Sequence, residues 1–170
     1  MTDAGRGNPI LAELFRHNLW ANLTLIDLCL TLPEAILETN VPGTYGGIRE
    51  TLTHLVGAEE RYLLALAGGL ERPQPTLEET APDLANLREH ARQSGERFVA
   101  YAGTVQGNPT LDVTWRGRSY KMPAAFYLVQ AINHSTEHRS QIKIALTQAG
   151  ISPPELDGWT WDDERREQTR

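Results

Sequence analysis

At 170 residues, with Cys29 as its one cysteine, a net charge of −6 and a pI near 5.4, the chain suits a single domain that buries roughly 70% of its unfolded surface without disulfides. The acidic balance argues against a nucleic-acid footprint, and the richest basic cluster, Arg116, Arg118 and Lys121, falls in a short turn-bearing stretch. The N-terminal MTDAGRGNP lacks the apolar run of an export signal, and no apolar stretch approaches the roughly 18 residues of a membrane span. The expectation is a cytoplasmic protein with no membrane and no nucleic-acid partner.

Residues 1–9 read as a flexible polar lead. Asn8 before Pro9 opens a first helix to about Leu30, with Leu11, Leu14, Phe15, Leu25 and Leu28 on its apolar face and Pro33 beyond its end. Along one flank His17, Asn18, Ala21 and Asn22 break the apolar pattern, which reads as a solvated boundary rather than the polar wall of a pocket. Cys29, set among leucines and isoleucine, reads as a small buried residue. The connector LPEAILETNVPGTYGG, with Pro42, Gly43, Gly46 and Gly47, is long enough for a crossover. A second helix follows over about Ile48 to Ala67, turning Ile48, Leu52, Leu55, Tyr62 and Leu66 inward and closed by Gly68-Gly69. His54 lies at the edge of that stripe.

The proline-spaced loop GLERPQPTLEETAP leads to a third helix, about Asp83 to Ala102, with Leu84, Leu87, Ala91, Phe98 and Ala102 inward and His90 on the exposed face without a role. TLDVTWRGRSYKM alternates apolar and polar residues on both sides of Arg116-Gly117, a β-hairpin signal, and an isolated hairpin is marginal, so its apolar face must lie on the helices. The fourth helix, Met122 to Gly150, takes Pro123 at its first position and stops before Pro153 and Pro154. Its stripe is Leu128, Ile132, Ile142 and Leu146, with Tyr127, Ala131, His134, His138 and Ala145 along the flank. In the tail, Trp159 and Trp161 should fold back onto the bundle, and the charged end from Asp162 should fray. The whole reads as an all-α four-helix bundle over residues 10–162 with a small β-hairpin insertion before the last helix, followed by a charged tail, 163–170.

His134 and His138, four residues apart, stack on one helix face and can share one ion at about 2.0–2.1 Å. His54 on another core helix completes a three-nitrogen set with an open position, the layout of catalytic rather than structural zinc; three imidazoles also suit nickel, copper or iron. The competing reading is that the histidines satisfy one another. His134-Ser-Thr-Glu137-His138 also spells H-x-x-E-H, the inverted zinc-protease signature, but that class needs a carboxylate ligand well downstream and little chain remains. Glu137 is a candidate catalytic base on water at the metal, or a solvent-facing neighbour of Arg139 and Lys143.

Four stretches together, Asn18-Leu-Trp-Ala-Asn22, Pro42-Gly-Thr-Tyr-Gly-Gly-Ile48 running to Thr53-His54-Leu55, the hairpin, and Asn133-His-Ser-Thr-Glu-His-Arg-Ser-Gln-Ile142, resemble the DinB/YfiT-like metalloenzyme family. The resemblance implies an up-down-down-up bundle, a homodimer, and a divalent metal, zinc or nickel first, on His54, His134 and His138. It also implies thiol-dependent transferase chemistry, in which a low-molecular-weight thiol attacks a small-molecule electrophile beside the metal. A metal-dependent hydrolase and a non-catalytic metal-binding stress-response protein are the alternatives. Glu137 stands where family members often carry another histidine, and Gly47 where a serine is frequent.

Overall fold

The computed structural model describes residues 8–68, 76–115 and 117–169. In chain order they form α1 (Pro9–Cys29), α2 (Glu34–Leu37), α3 (Ile48–Leu66), α4 (Leu77–Thr80), α5 (Leu84–Thr104), β1 (Thr110–Trp115), β2 (Arg118–Pro123), α6 (Ala124–Gln148) and α7 (Gly158–Gln168). The four long helices are the four expected, and α2 and α4 are single turns inside the two connectors. Most of the expected lead, residues 1–7, and Gly69 lie outside the described residues.

Asn8 caps α1 by accepting the Leu11 N–H at 3.0 Å, and Asp83 caps α5 from Asn86 N at 2.8 Å. Pro123 does not enter α6 as expected: it ends β2 in extended conformation at the N-cap position. Having no side-chain donor or acceptor, it cannot satisfy the first turn. Asn108 does so from before the hairpin, its Oδ1 accepting Ala125 N at 3.0 Å while Pro109 O accepts Ala124 N at 2.8 Å. The hairpin pairs Thr110 with Pro123 through Trp115 with Arg118. Its two-residue turn includes Gly117 at φ +72°, where a Cβ would be strained. Val113 is buried and joins Leu111 and Met122 against the helices, as the marginal stability of a lone hairpin requires.

Helix directions follow from partners along their lengths. Phe15 on α1 stacks on Phe98 of α5, with ring centroids 4.8 Å apart, and Leu25 shares a cluster with Leu84 and Leu87, so these helices are antiparallel. Leu52 shares that cluster with Ile142 and Leu146, while Leu63 and Leu66 share the other with Tyr127 and Leu128, so α3 and α6 are antiparallel too. The result is an up-down-down-up bundle in which α1 packs on α5 and α3 on α6.

The core is two apolar clusters rather than one. Between them lies a polar layer built from Asn18 and Asn22 (α1), Glu59 (α3), Ser94 (α5), and Ser135 and Arg139 (α6), all buried. Asn18 and Asn22 were expected at a solvated boundary, and the structure places them inside. The reason is a partner across the bundle. Their amide nitrogens donate to Glu59 Oε1 at 2.8 and 2.9 Å, and Ser135 Oγ donates to the same oxygen at 3.0 Å. Ser94 Oγ reaches Glu59 Oε2 at 3.1 Å. Arg139 Nη1 donates to the two asparagine oxygens at 2.7 and 2.6 Å. A guanidinium only donates, so both amide oxygens must face Arg139 and both NH₂ groups must face the carboxylate.

Two tail expectations also change. The charged end does not fray: α7 continues to Gln168 because α1 supplies partners, Trp20 Nε1 donating to Glu164 Oε2 at 2.8 Å and Arg165 bonding Glu13. Trp161 meets His17 edge-on with centroids 5.5 Å apart, whereas Trp159 is 83% exposed and does not fold back. Cys29 is fully buried, as expected, and burial pushes its thiol up to about 12.

Candidate metal centre

His54, His134 and His138 come together at the seam of α3 and α6, beside the polar layer. On α6 the two histidines immediately precede Ser135 and Arg139, so the residues that enter the polar layer also set the azimuth at which the histidines leave it. The Nε2 atom of His134 lies 3.2 Å from Nε2 of His54 and 3.2 Å from Nε2 of His138. Two nitrogens bound tetrahedrally at 2.0–2.1 Å stand about 3.3 Å apart, so the spacing suits one shared ion. Among the described residues no fourth histidine, cysteine or carboxylate joins the group.

The far nitrogens fix the tautomers. His138 Nδ1 lies 3.0 Å from Gln141 Oε1, an acceptor, so that nitrogen carries the proton and its Nε2 presents a lone pair. His54 Nδ1 faces Glu78 Oε1 at 3.5 Å, which again favours the proton on Nδ1. His134 Nδ1 is buried with no hydrogen-bond partner among the described residues. If His134 donates through Nε2 to one neighbour, the other stays unanswered and its own Nδ1 lone pair is buried without a partner. If it is protonated on Nδ1 instead, three lone pairs converge. Neither arrangement satisfies the set. A cation among the three Nε2 atoms, with His134 protonated on Nδ1, answers the three converging lone pairs, so the residues present fit a divalent metal.

Electrostatics agree. Burial, together with the positive charge His138 and His54 would bring, lowers the His134 imidazole to about 4, and His54 is lowered for the same first reason and by His138 and Arg61, against an opposing pull from Glu78. Both rings are therefore neutral ligands near pH 7. Burial raises the Glu78 carboxyl, but the 2.8 Å hydrogen bond from Arg61 Nη1 and the charges of Arg61 and His54 outweigh it, leaving it below the ordinary range. Tyr45 stacks on His54 with centroids 4.0 Å apart and meets His138 edge-on at 5.5 Å, and its backbone N–H donates to the same Gln141 Oε1 at 3.0 Å. Tyr62 stands edge-on to His134 at 5.9 Å.

Glu137 is exposed on α6 and is not drawn into the histidine group. His17 lies away from it, with Nε2 3.0 Å from Leu156 O. His90 pairs with Glu60 at 2.7 Å beside a separate cavity between α3, α4 and α5, so it has a partner that its sequence position did not suggest. Sequence reasoning missed Glu78, Gln141 and Tyr45. Gln141, three residues after His138 on one helix, had a readable signal; the other two sit in connectors whose path the sequence does not reveal.

Bundle, hairpin and three-histidine seam define a four-helix protein with a histidine group that could hold a metal ion. The model of the DinB family matches residues 1–169, and the chain belongs to that family. Protein DinB of Bacillus subtilis (strain 168) is similar to it, 22% identical over 153 residues that cover 85% of this chain and 89% of that protein. No helix among the described residues is long and apolar enough to cross a membrane.

Proposed function

We propose that the chain is a metal-dependent enzyme of the thiol-dependent transferase type. His54, His134 and His138 hold one divalent ion, zinc or nickel, and a low-molecular-weight thiol meets a small electrophile beside it. The observation that carries this reading is the convergence of three Nε2 atoms with no fourth histidine, cysteine or carboxylate among the described residues. When bound, such an ion supplies the charge that keeps a coordinating thiol as its thiolate. The chain supplies the rest. Burial keeps His54 and His134 unprotonated, Gln141 orients the His138 ring, and Tyr45 and Tyr62 wall the approach with aromatic surface.

Purified protein should contain the metal in elemental analysis, and should convert an electrophilic substrate only when a small thiol is added. His138→Ala should abolish this while helix content by circular dichroism stays unchanged. Glu137 stands exposed outside the histidine group, and Glu137→Gln separates its two readings: a rate lowered by about 10²–10⁴ assigns it as proton acceptor, and an unchanged rate assigns it to the solvated face. Turnover of esters or amides without thiol would replace the transferase with a hydrolase, and no turnover on either panel leaves a metal-binding protein. We also propose a cytoplasmic homodimer, supported by Phe126 and Val129, 46% and 60% exposed on neighbouring turns of α6. A light-scattering mass near 19.0 kDa would remove the dimer.

A further inference from the structure

We propose that Glu78 is a positioning residue of the metal centre, holding the His54 ring from its Nδ1 side so that Nε2 is aimed at the ion; this rests on the three-histidine reading above. Three features place the carboxylate there. The first is the rigidity of α4: Thr76 and Glu79 form a reciprocal cap, with Thr76 N donating to Glu79 Oε2 at 2.7 Å and Glu79 N to Thr76 Oγ1 at 3.3 Å, and buried Leu77 anchors the turn in the core. Four residues are thereby fixed inside an otherwise proline-spaced connector.

The second feature is Arg61, one helical turn beyond Gly57 on α3. Its Nη1 donates to Glu78 Oε1, the oxygen that also faces His54 Nδ1 at 3.5 Å, so the carboxylate is clamped between a permanent cation and a metal ligand. The third is Gly57 itself. A Cβ there would stand 3.0 Å from Glu78 Oε2 and 3.2 Å from both Glu78 Oε1 and Arg61 Nη1. The absent side chain leaves the space the carboxylate occupies, and any larger residue would push it away from His54.

The far nitrogens of the three rings thus differ: His54 Nδ1 faces a carboxylate, His138 Nδ1 an amide oxygen, and His134 Nδ1 has no hydrogen-bond partner among the described residues. A carboxylate behind an imidazole makes it a stronger donor and fixes its tautomer. His54 is the one ligand from α3, so its ring cannot borrow the rigidity of the α6 pair.

Cobalt(II) and zinc(II) affinities, measured by chelator competition on the full chain, test this. Glu78→Gln should weaken both by about 10–100-fold and shift the visible spectrum of the cobalt form. In the zinc form the His54 Nδ1–H resonance should move upfield. Glu79→Ala removes the side-chain acceptor for Thr76 N, and so half of the cap of the same turn, but leaves the Glu78 carboxylate, and should weaken binding much less; Gly57→Ala should reproduce part of the Glu78→Gln loss with the fold intact. Unchanged affinity in Glu78→Gln, or equal losses in Glu78→Gln and Glu79→Ala, would overturn the inference while leaving the triad standing. Failure of the unmodified chain to bind either ion would instead overturn the triad.

Discussion

Glu59 and the three histidines occupy the same level of the bundle, one on its axis and the other at the α3–α6 seam, and both groups are polar atoms withdrawn from water. They differ in how completely the protein answers them. Glu59 Oε1 accepts from Asn18, Asn22 and Ser135, its Oε2 faces Ser94, and Arg139 completes the layer through the two asparagines. Complete burial raises the Glu59 carboxyl, opposed by the hydrogen bonds from Asn18, Ser135 and Ser94 and by the Arg139 charge, while burial lowers Arg139 to about 10, which leaves it a cation near pH 7. At the seam the histidines meet lone pair against lone pair. A buried network with every member paired specifies the fold, whereas one with a deficit specifies a ligand.

The contrast can be broken from the inside first. Glu59→Ala should cost about 3–5 kcal/mol in urea unfolding, because it leaves Arg139 buried without its counter-charge. Replacing the pair together, Glu59→Leu with Arg139→Met, should recover only part of that loss, because the buried amides of Asn18 and Asn22 then lose both their acceptor and their donor. A Glu59→Ala cost below about 1 kcal/mol would mean that water already reaches the layer. At the seam the pattern should invert. His134→Ala should lower metal affinity more than about 100-fold, beyond the range of outer-shell changes, yet shift the stability of metal-free protein by no more than about 1 kcal/mol, since its Nδ1 has no bond to lose. His17→Ala and His90→Ala should leave affinity unchanged.

A further effect is in pH. His134 in the folded, metal-free protein sits at about 4 against an ordinary 6.5, and His54 is also lowered. Between those values the unfolded chain binds more protons, so stability should be unaffected above about pH 6.5, fall below it, and level off near pH 4. His134→Gln should flatten that slope. An identical slope in the variant would place the proton uptake elsewhere.

Much of this was legible in the sequence. The four long helices and the hairpin follow from periodicity and turn residues, and the His134 and His138 pair from its four-residue spacing, while His54 joined the pair through the family resemblance. The polar layer was not, though its signal was present: Glu59 falls on the α3 stripe between Leu52, Leu55 and Leu63, and Ser135 and Arg139 fall on the α6 stripe between Leu128 and Ile142. A polar residue on an apolar stripe is ambiguous within one helix. Asn18 and Asn22 read as boundary residues because their counterparts lie on three other helices, and only the packing shows which faces meet. Glu78 was hidden for a different reason, since its role depends on the path of a connector and on a glycine one turn beyond His54.

The α6 helix carries its two jobs on adjacent threads, His134 beside Ser135 and His138 beside Arg139, and successive residues of a helix are separated by about 100°. Inserting one residue just before Asn133, with Tyr127, Leu128 and Ala131 still seated, would turn Asn133 and Glu137 to the seam and drive His134 and His138 into the layer facing Glu59. Deleting one would bring Ser135 and Arg139 to the seam and leave Thr136 and Ser140 opposite the carboxylate. Either frameshift of the helix removes the metal ligands and the counter-charge in one event. Length variation among descendants of this chain should therefore collect in the connectors, and loss of the three-histidine group with the bundle kept should proceed by substitution rather than by insertion or deletion.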